Sequence, residues 1–522
     1  MFMKKRLFLS AVLVFALVSC DNSINLSSQN SSSSKDDSSL SSSVSNDSSS
    51  TTSYSKPAKA TIFSINDLHG SIDKDSDLKE PGVARLKKAI ESDSDYDPDS
   101  SIIVSAGDSW QGGYLSFQEK TITDKVLGYL GVKAMTIGNH EWDWGVDTIK
   151  TLASSSPFPF LACNIIDEST NKPVSWASPS YSYATNSGVK FGLIGAIGPG
   201  EESDILSTYV KGYTFSSSLS YIDTELAKLK KDGCDLIYLV VHDGVSNTNG
   251  YVTSLGNHYS YADGISGIIG GHTHTSDRQM VNSLPYVQAG CNSKYYSKIT
   301  SYLDSKKVNN YGTVSAESYL DVQDSELDQN IISAINTANT TYQANESMNV
   351  DFDYTFRRYY ELNKWVPDSM IFNAKSYGWG KASGGNEIMA VHNLGGIRAN
   401  IPAGYATRKK LFKTNPFNNT IVVIKDVSGS SIRKWIGQDD SSKSNTTKYD
   451  CYDTETGAFS TSNTYDLITI NFLSLSDYFS ISGTQYPLKQ ADNKEVTMPD
   501  AIINYVTNSG IKTFKKAEYS VY

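Results

Sequence analysis

The sequence predicts an α/β catalytic domain followed by a second α/β or α+β domain. Three observations carry that prediction. Short apolar, β-prone runs alternate with amphipathic helical stretches, the pattern of layered α/β architectures. Five of the runs close in tight turns made of Gly, Asp, Asn and His. The chain, at 522 residues, is also long enough for two or more domains.

In chain order, residues 61–65 run into Asn66-Asp67-Leu68-His69-Gly70, and residues 101–106 into Gly107-Asp108-Ser109. Residues 134–137 run into Gly138-Asn139-His140-Glu141-Trp142-Asp143. Residues 236–241 run into His242-Asp243-Gly244, and residues 267–269 into Gly270-Gly271-His272-Thr273-His274. Apolar runs closed in this way read as buried strands ending in functional loops. Helices are predicted at 82–91, 123–130 and 221–231, and further strands at 160–165, 190–197 and 285–289. In open α/β sheets such loops gather at one sheet edge, where ligands bind. Separate strands can therefore deliver their turn residues to one place.

The chain has only seven histidines, and His69, His140, His242, His272 and His274 all lie in these turns. Scattered, solvated histidines would not collect there. Carboxylate, amide oxygen and neutral imidazole together suit Mn, Zn or Fe, with Mg also compatible.

Residues 326–350 are helix-prone, with Leu327, Ile331, Ile332 and Ile335 as the apolar face. They divide a catalytic domain at 58–325 from a second domain at 351–522 that is rich in Tyr and Asn. At the start, Lys4-Lys5-Arg6 precede a short apolar run at 7–18, so residues 1–20 read as a targeting segment. The run is too short for a comfortable membrane span of about 20 residues. Residues 21–57 are dominated by Ser and read as a flexible tether. The net charge of −10 argues against a nucleic-acid polymer as partner. It leaves small anionic substrates open, because bound cations dominate the local field. Cys163, Cys234, Cys291 and Cys451 lack C-x-x-C spacing. Cys163 and Cys234 fall in or beside strand-like runs and read as buried hydrophobes.

Asp67-x-His69, Gly107-Asp108, Gly138-Asn139-His140-Glu141, a lone His242 and Gly271-His272-x-His274 together resemble the calcineurin-like metallophosphoesterases. With Asn393-Leu394-Gly395-Gly396-Ile397-Arg398 downstream, most of residues 60–480 resembles the 5′-nucleotidase family. The resemblance implies a four-layer α/β/β/α sandwich for the first domain and a pair of divalent cations. Asp67, His69 and His274 would hold the first cation, and Asn139, His242 and His272 the second. Asp108 would bridge them with one carboxylate oxygen on each. His140 would stay free of metal and form a dyad with Asp143, stabilising the phosphoryl group or protonating the leaving oxygen. Glu141 would hold its loop by hydrogen bonds.

The resemblance also implies a nucleoside site in the second domain. Asn393, Gly396 and Arg398 would contact the nucleoside. Phe417 of Asn415-Pro416-Phe417-Asn418-Asn419 and Phe472 of Asn471-Phe472-Leu473 would sandwich the base. This chain departs from the family after Phe472. Ser474-Leu475-Ser476-Asp477-Tyr478 is one residue shorter than the usual Gly-Gly-Asp-Gly stretch, so Asp477 as a ribose contact falls outside the usual register. The usual opening of the second domain is poorly matched at 357–380, where Arg357 or Arg358 would stand in. His392 reads as a packing residue. Leu17-Val18-Ser19-Cys20 resembles a bacterial lipobox, implying lipidation of Cys20 and attachment to the outer face of the cell membrane.

The expected activity is release of phosphate from nucleoside 5′-monophosphates. UDP-sugars, or 2′,3′-cyclic nucleotides and 3′-nucleotides, are alternative substrates of the same site. A nucleotide-binding lipoprotein without turnover would be expected to carry a damaged donor set, and all seven donor positions are intact. The motifs leave base preference and oligomeric state open.

Overall fold

The computed structural model describes residues 56–245, 250–436, 451–476 and 479–519. The targeting segment with Cys20, nearly all of the Ser-rich stretch, and Asp477 lie outside the described residues.

Two six-stranded sheets form the first half of the molecule. In the first sheet, Lys59–Ile65, Ser101–Ser105, Val132–Thr136 and Phe160–Leu161 run parallel. Tyr295–Tyr302 and Val308–Ser315 extend it in antiparallel fashion. In the second sheet, Lys190–Ile197, Leu236–His242, Ile265–Ile269 and Leu284–Ala289 are parallel. Ser180–Ala184 and Ser276–Val281 form its antiparallel edges. Leu236–His242 is buried at every position, as a strand covered on both faces must be.

The sheets meet through one apolar layer. Ile62, Val104 and Ala134 face Leu193, Tyr238, Val240 and Val287. Helices Gly82–Glu91, Ile122–Leu130 and Gln329–Thr341 cover the outer face of the first sheet around Phe63 and Ile103. Helices Ser220–Lys231 and Tyr251–His258 cover the second around Ile194, Ile237 and Ile268. The order is helix, sheet, sheet, helix, the sandwich that the resemblance implies. Cys163 and Cys234 lie buried in the core between the second sheet and its helices, with free thiols. Among the described residues no helix is long and apolar enough to cross a membrane.

Two expectations change. The run at 160–165 is not one strand: Phe160–Leu161 stays in the first sheet, and Ile165–Asp167 joins a small separate sheet. Asn164 breaks it, because its side-chain amide donates to the carbonyls of Ile197 and Ser216 at 2.8 and 3.0 Å. The linker at 326–350 is helical only over Gln329–Thr341, where Asp328 caps the first turn. That helix buries Ile331, Ile335 and Ala338 in the core of the first half. The last part of the stretch is strand Ser347–Phe352, which pairs with Gly404–Thr407 and Thr513–Phe514.

The second half is built on a five-stranded sheet covered by helices Leu362–Ser376 and Met498–Asn508. Its strands Glu387–His392 and Thr464–Ile470 are parallel, so the loops carrying Asn393 and Asn471 leave at the same end.

Helix Arg408–Thr414 docks the two halves together. Phe412, 2% exposed, meets the rings of Tyr114 and Phe117 at centroid distances of 5.7 and 5.0 Å. On either side of it Lys409 reaches Asp73 at 2.7 Å, and Lys413 reaches Glu80 and, at 3.4 Å, Asp75. Burial alone would raise the Asp75 carboxyl, but Lys413 and Lys409 outweigh it and hold it below its usual value. Lys413→Met would leave Asp75 and Glu80 buried without their cation, and should cost about 3–5 kcal/mol in urea unfolding. Lys410, whose partner Asp77 is half exposed, should lose under about 1 kcal/mol on the same change.

Candidate dimetal active site

The loops at the ends of the parallel strands of both sheets converge. Asp67 and His69 follow Lys59–Ile65, and Asp108 follows Ser101–Ser105. Asn139 and His140 open a short helical turn after Val132–Thr136. His242 ends Leu236–His242, and His272 and His274 follow Ile265–Ile269.

Two donor groups result. In the first, His69 Nε2 lies 2.8 Å from His274 Nε2, and Asp67 Oδ1 lies 3.5 Å from His274 Nε2. In the second, Asn139 Oδ1 is 3.1 Å from both His242 Nε2 and His272 Nδ1. Asp108 Oδ2 faces both groups, 3.2 Å from His242 Nε2 and 4.0 Å from His69 Nε2. The other oxygen, Oδ1, accepts the backbone N–H of His140 at 2.8 Å. A single oxygen of Asp108 therefore faces the two groups, rather than one oxygen for each.

The donors are aimed from behind. His69 Nδ1 donates to the Gln111 carbonyl at 2.9 Å, and His242 Nδ1 to the Ala106 carbonyl at 2.7 Å, leaving each Nε2 lone pair inward. Asp67 Oδ2 accepts from Asn66 Nδ2 at 2.6 Å and from the His272 N–H at 2.9 Å. Glu141 does hold its loop: it accepts the N–H groups of Asp108, Ser109 and Gly138 at 2.9, 2.7 and 2.8 Å. Gly138 is required, since a Cβ there would lie 2.3 Å from Asp108 Oδ1. Asp67, His69, Asp108, His272 and His274 all have φ between +47° and +73°. Side-chain residues seldom adopt that region outside constrained sites.

Burial pulls His272 down to about 4 and His274 to about 3, and pushes Asp67 up to about 7. Burial lowers the proton affinity of His242 as well, but Asp108 and Glu201 outweigh it and raise it, so imidazoles of opposite tendency and crowded carboxylates share one pocket. Asp108 Oδ2 is buried there with no hydrogen bond. Carboxylate oxygen, amide oxygen and imidazole nitrogen pointing inward form a set that fits two divalent cations.

His140 stands beside these groups. Its Nδ1 donates to Asp143 Oδ2 at 2.7 Å, and its Nε2 accepts from Arg398 Nη2 at 2.7 Å. Burial lowers the proton affinity of this imidazole, but Asp143 and Asp108 outweigh burial and raise it. Arg398 comes from the second half, lies over the Phe417 ring at 5.0 Å, and brings Phe417 within 5.5 Å of His140.

Residues 60–276 match the model of the calcineurin-like phosphoesterases, and residues 335–505 match that of the 5′-nucleotidase C-terminal domain. The chain belongs to the 5′-nucleotidase family. It is 25% identical to Protein 5NUC of Lutzomyia longipalpis over 398 residues, covering 68% of this chain and 66% of that protein. It is 26% identical to the 5′-nucleotidase of Rattus norvegicus over 233 residues, covering 42% of this chain and 39% of that one. It thus spans two thirds or less of these relatives. The crystal structure of a 5′-nucleotidase precursor from Thermus thermophilus superimposes with a TM-score of 0.65 at 18% identity, covering 87% of this chain and 97% of that one.

In this 5′-nucleotidase-family chain, His392 does more than pack. Its Nδ1 donates to the Asn393 carbonyl at 2.8 Å, and its Nε2 accepts from Asn415 Nδ2 at 2.8 Å. It thereby joins the loop of Asn393, Gly396 and Arg398 to the loop of Phe417. A Cβ on Gly396 would strike the His392 ring at 2.4 Å. Phe472 is half-buried against the second core. Asn471 ties its segment to Thr420, accepting the Thr420 N–H at 3.0 Å and donating to its carbonyl at 2.9 Å. Arg358 lines a cavity of about 290 Å³ with His69, His274 and Arg398, whereas Arg357 pairs with Glu361 at 3.2 Å.

Gln111 escapes notice in the sequence. Its Nε2 donates to the Pro416 carbonyl at 2.6 Å, and its Oε1 accepts from Trp144 Nε1 at 2.7 Å. One residue thus connects His69, the loop of the dyad and the loop of Phe417. Its only signal was its place in the Asp108 turn.

Burial holds His392 at about 4, below its ordinary 6.5. The unfolded chain therefore binds the extra proton first, and stability is lost as pH falls through that window, by about 3 kcal/mol. Thermal midpoints followed downward from neutral pH should fall more steeply for the natural chain than for His392→Gln.

Proposed function

We propose that this protein is a dimetal phosphohydrolase that releases phosphate from nucleoside 5′-monophosphates. One observation carries the reading: Asp108 Oδ2, buried and accepting no hydrogen bond, faces an imidazole of each donor group with the His140–Asp143 pair alongside. Asp67, His69 and His274 would hold one cation and Asn139, His242 and His272 the other, with Asp108 shared. The cations would be Mn, Zn or Fe, with Mg also compatible. Bound there, they screen phosphate charge and make water a competent nucleophile.

The remaining chemistry belongs to the chain. Arg398 offers a planar, permanently charged fork to phosphate oxygens. When an anion draws it away, His140 Nε2 is released to face the phosphoryl group. Asp143 keeps the ring oriented and favours its protonated form, which stabilises the leaving oxygen or gives it a proton. Phe417 and Phe472 would grip the base, with Asn393 and Gly396 beside the nucleoside. The Phe417 ring lies 5.5 Å from His140, so it borders the dyad directly.

A second reading has its own support. Arg358 and Arg398 line one cavity beside His69 and His274, which suits a substrate with a second phosphate such as a UDP-sugar. The altered stretch after Phe472 keeps 2′,3′-cyclic nucleotides and 3′-nucleotides in the comparison. Convergence of all seven donors argues against binding without turnover. The Leu17-Val18-Ser19-Cys20 motif supports a lipid-anchored protein on the outer membrane face.

With Mn bound, AMP should rank above UDP-glucose and 2′,3′-cyclic AMP by kcat/KM; no phosphate release from AMP by the metal-loaded protein would reject the first reading. Asp108→Asn should cost more than about 100-fold in kcat, since even residues behind the ligands are worth 10–100-fold.

A further inference from the structure

One acidic side chain outside the five motifs is aimed at the second donor group and has no partner. Glu201 opens the short turn Glu201–Asp204 after strand Lys190–Ile197. It is 7% exposed, and both of its carboxylate oxygens are buried without a hydrogen bond. Oε2 lies 3.7 Å from His272 Nδ1 and 3.9 Å from His242 Nε2. Those are the same two nitrogens that flank Asn139 Oδ1.

The backbone puts it there. The Gly198 N–H donates to the His242 carbonyl at 3.0 Å, tying this loop to the end of the neighbouring strand. A Cβ on Gly198 would lie 2.5 Å from Glu201 Oε1. The next residue behaves quite differently. Glu202 accepts the N–H groups of Phe215 and Gly200 at 2.5 and 2.8 Å and is structurally satisfied. Glu201 accepts nothing.

A carboxylate buried without a donor is costly, and only protonation or a cation offsets that cost. Donor atoms bound to one cation at about 2.0–2.2 Å sit roughly 3–4 Å from one another. The distances from Glu201 to the two imidazole nitrogens fall in that range.

We propose that Glu201 is a further ligand of the second cation. This rests on the dimetal reading above. The second cation then has Asp108, Glu201, Asn139, His242 and His272 as donors, and the first has Asp67, His69, His274 and Asp108. Three oxygens and two imidazole nitrogens would suit Mn or Fe better than Zn, which favours four ligands.

Mn titration of the metal-free protein, followed by calorimetry and by the EPR signal of the paired ions, tests this. The natural chain should bind two equivalents. Glu201→Gln should keep one site unchanged and weaken the other at least about 10-fold, converting the paired signal to that of a single ion. Glutamine has the shape of a neutral carboxylic acid, so a Glu201 that only packs in its protonated form would bind Mn as the variant does, and equal affinities overturn the proposal. Glu201→Asp keeps the charge and shortens the reach, and should fall between the two. The metal-free midpoint of Glu201→Gln should not drop, because an unpartnered charge has been removed, while its gain on adding Mn should shrink. If the natural chain binds fewer than two equivalents, the dimetal reading itself falls and takes this assignment with it.

Discussion

The backbone N–H of His140 takes one oxygen of Asp108, and the rest of the site is arranged about the other. That contact does two things together. It turns Oδ2 toward both donor groups, and it anchors the residue whose imidazole stands apart from them. Glu141 reinforces it by gathering the N–H groups of the same two turns onto one carboxylate. The two turns therefore move as a unit. The left-handed backbone at Asp108 is tolerable because its N–H and one of its carboxylate oxygens are both held.

Much of this was legible in the amino-acid order. Each donor turn is contiguous with an apolar run, so Asp67, Asp108, Asn139, His242 and His272 carry their own structural context with them. Helices 82–91, 123–130 and 221–231 lie within a residue of the observed elements, because their apolar faces are local patterns. Glu201 was illegible for the opposite reason. It sits beside Glu202 and Asp204 in a run that reads as a solvated loop, and only the approach of His242 and His272 gives it meaning. Gln111 touches a carbonyl 305 residues away, which no local pattern reveals. The split of residues 160–165 turned on one side-chain amide, Asn164, that competes with the strand ladder.

The second half contributes chemistry as well as a wall. Arg398 and Phe417 reach His140, and His392 lashes their two loops together from beneath. The guanidinium rests on the imidazole nitrogen that, on the proposed reading, must turn to the phosphoryl group. While that contact stands the His140 Nε2 is occupied, and an anion that competes for the arginine would free it.

Helix Arg408–Thr414 ends three residues before Phe417. The lysines that clasp the first half are therefore separated by only a few residues of chain from the ring that lies beside His140. Any tilt of that helix swings the aromatic ring through an arc. Adhesion of the halves and the placement of that ring beside His140 are mechanically coupled in this molecule, and salt or acid that loosens one will be felt by the other.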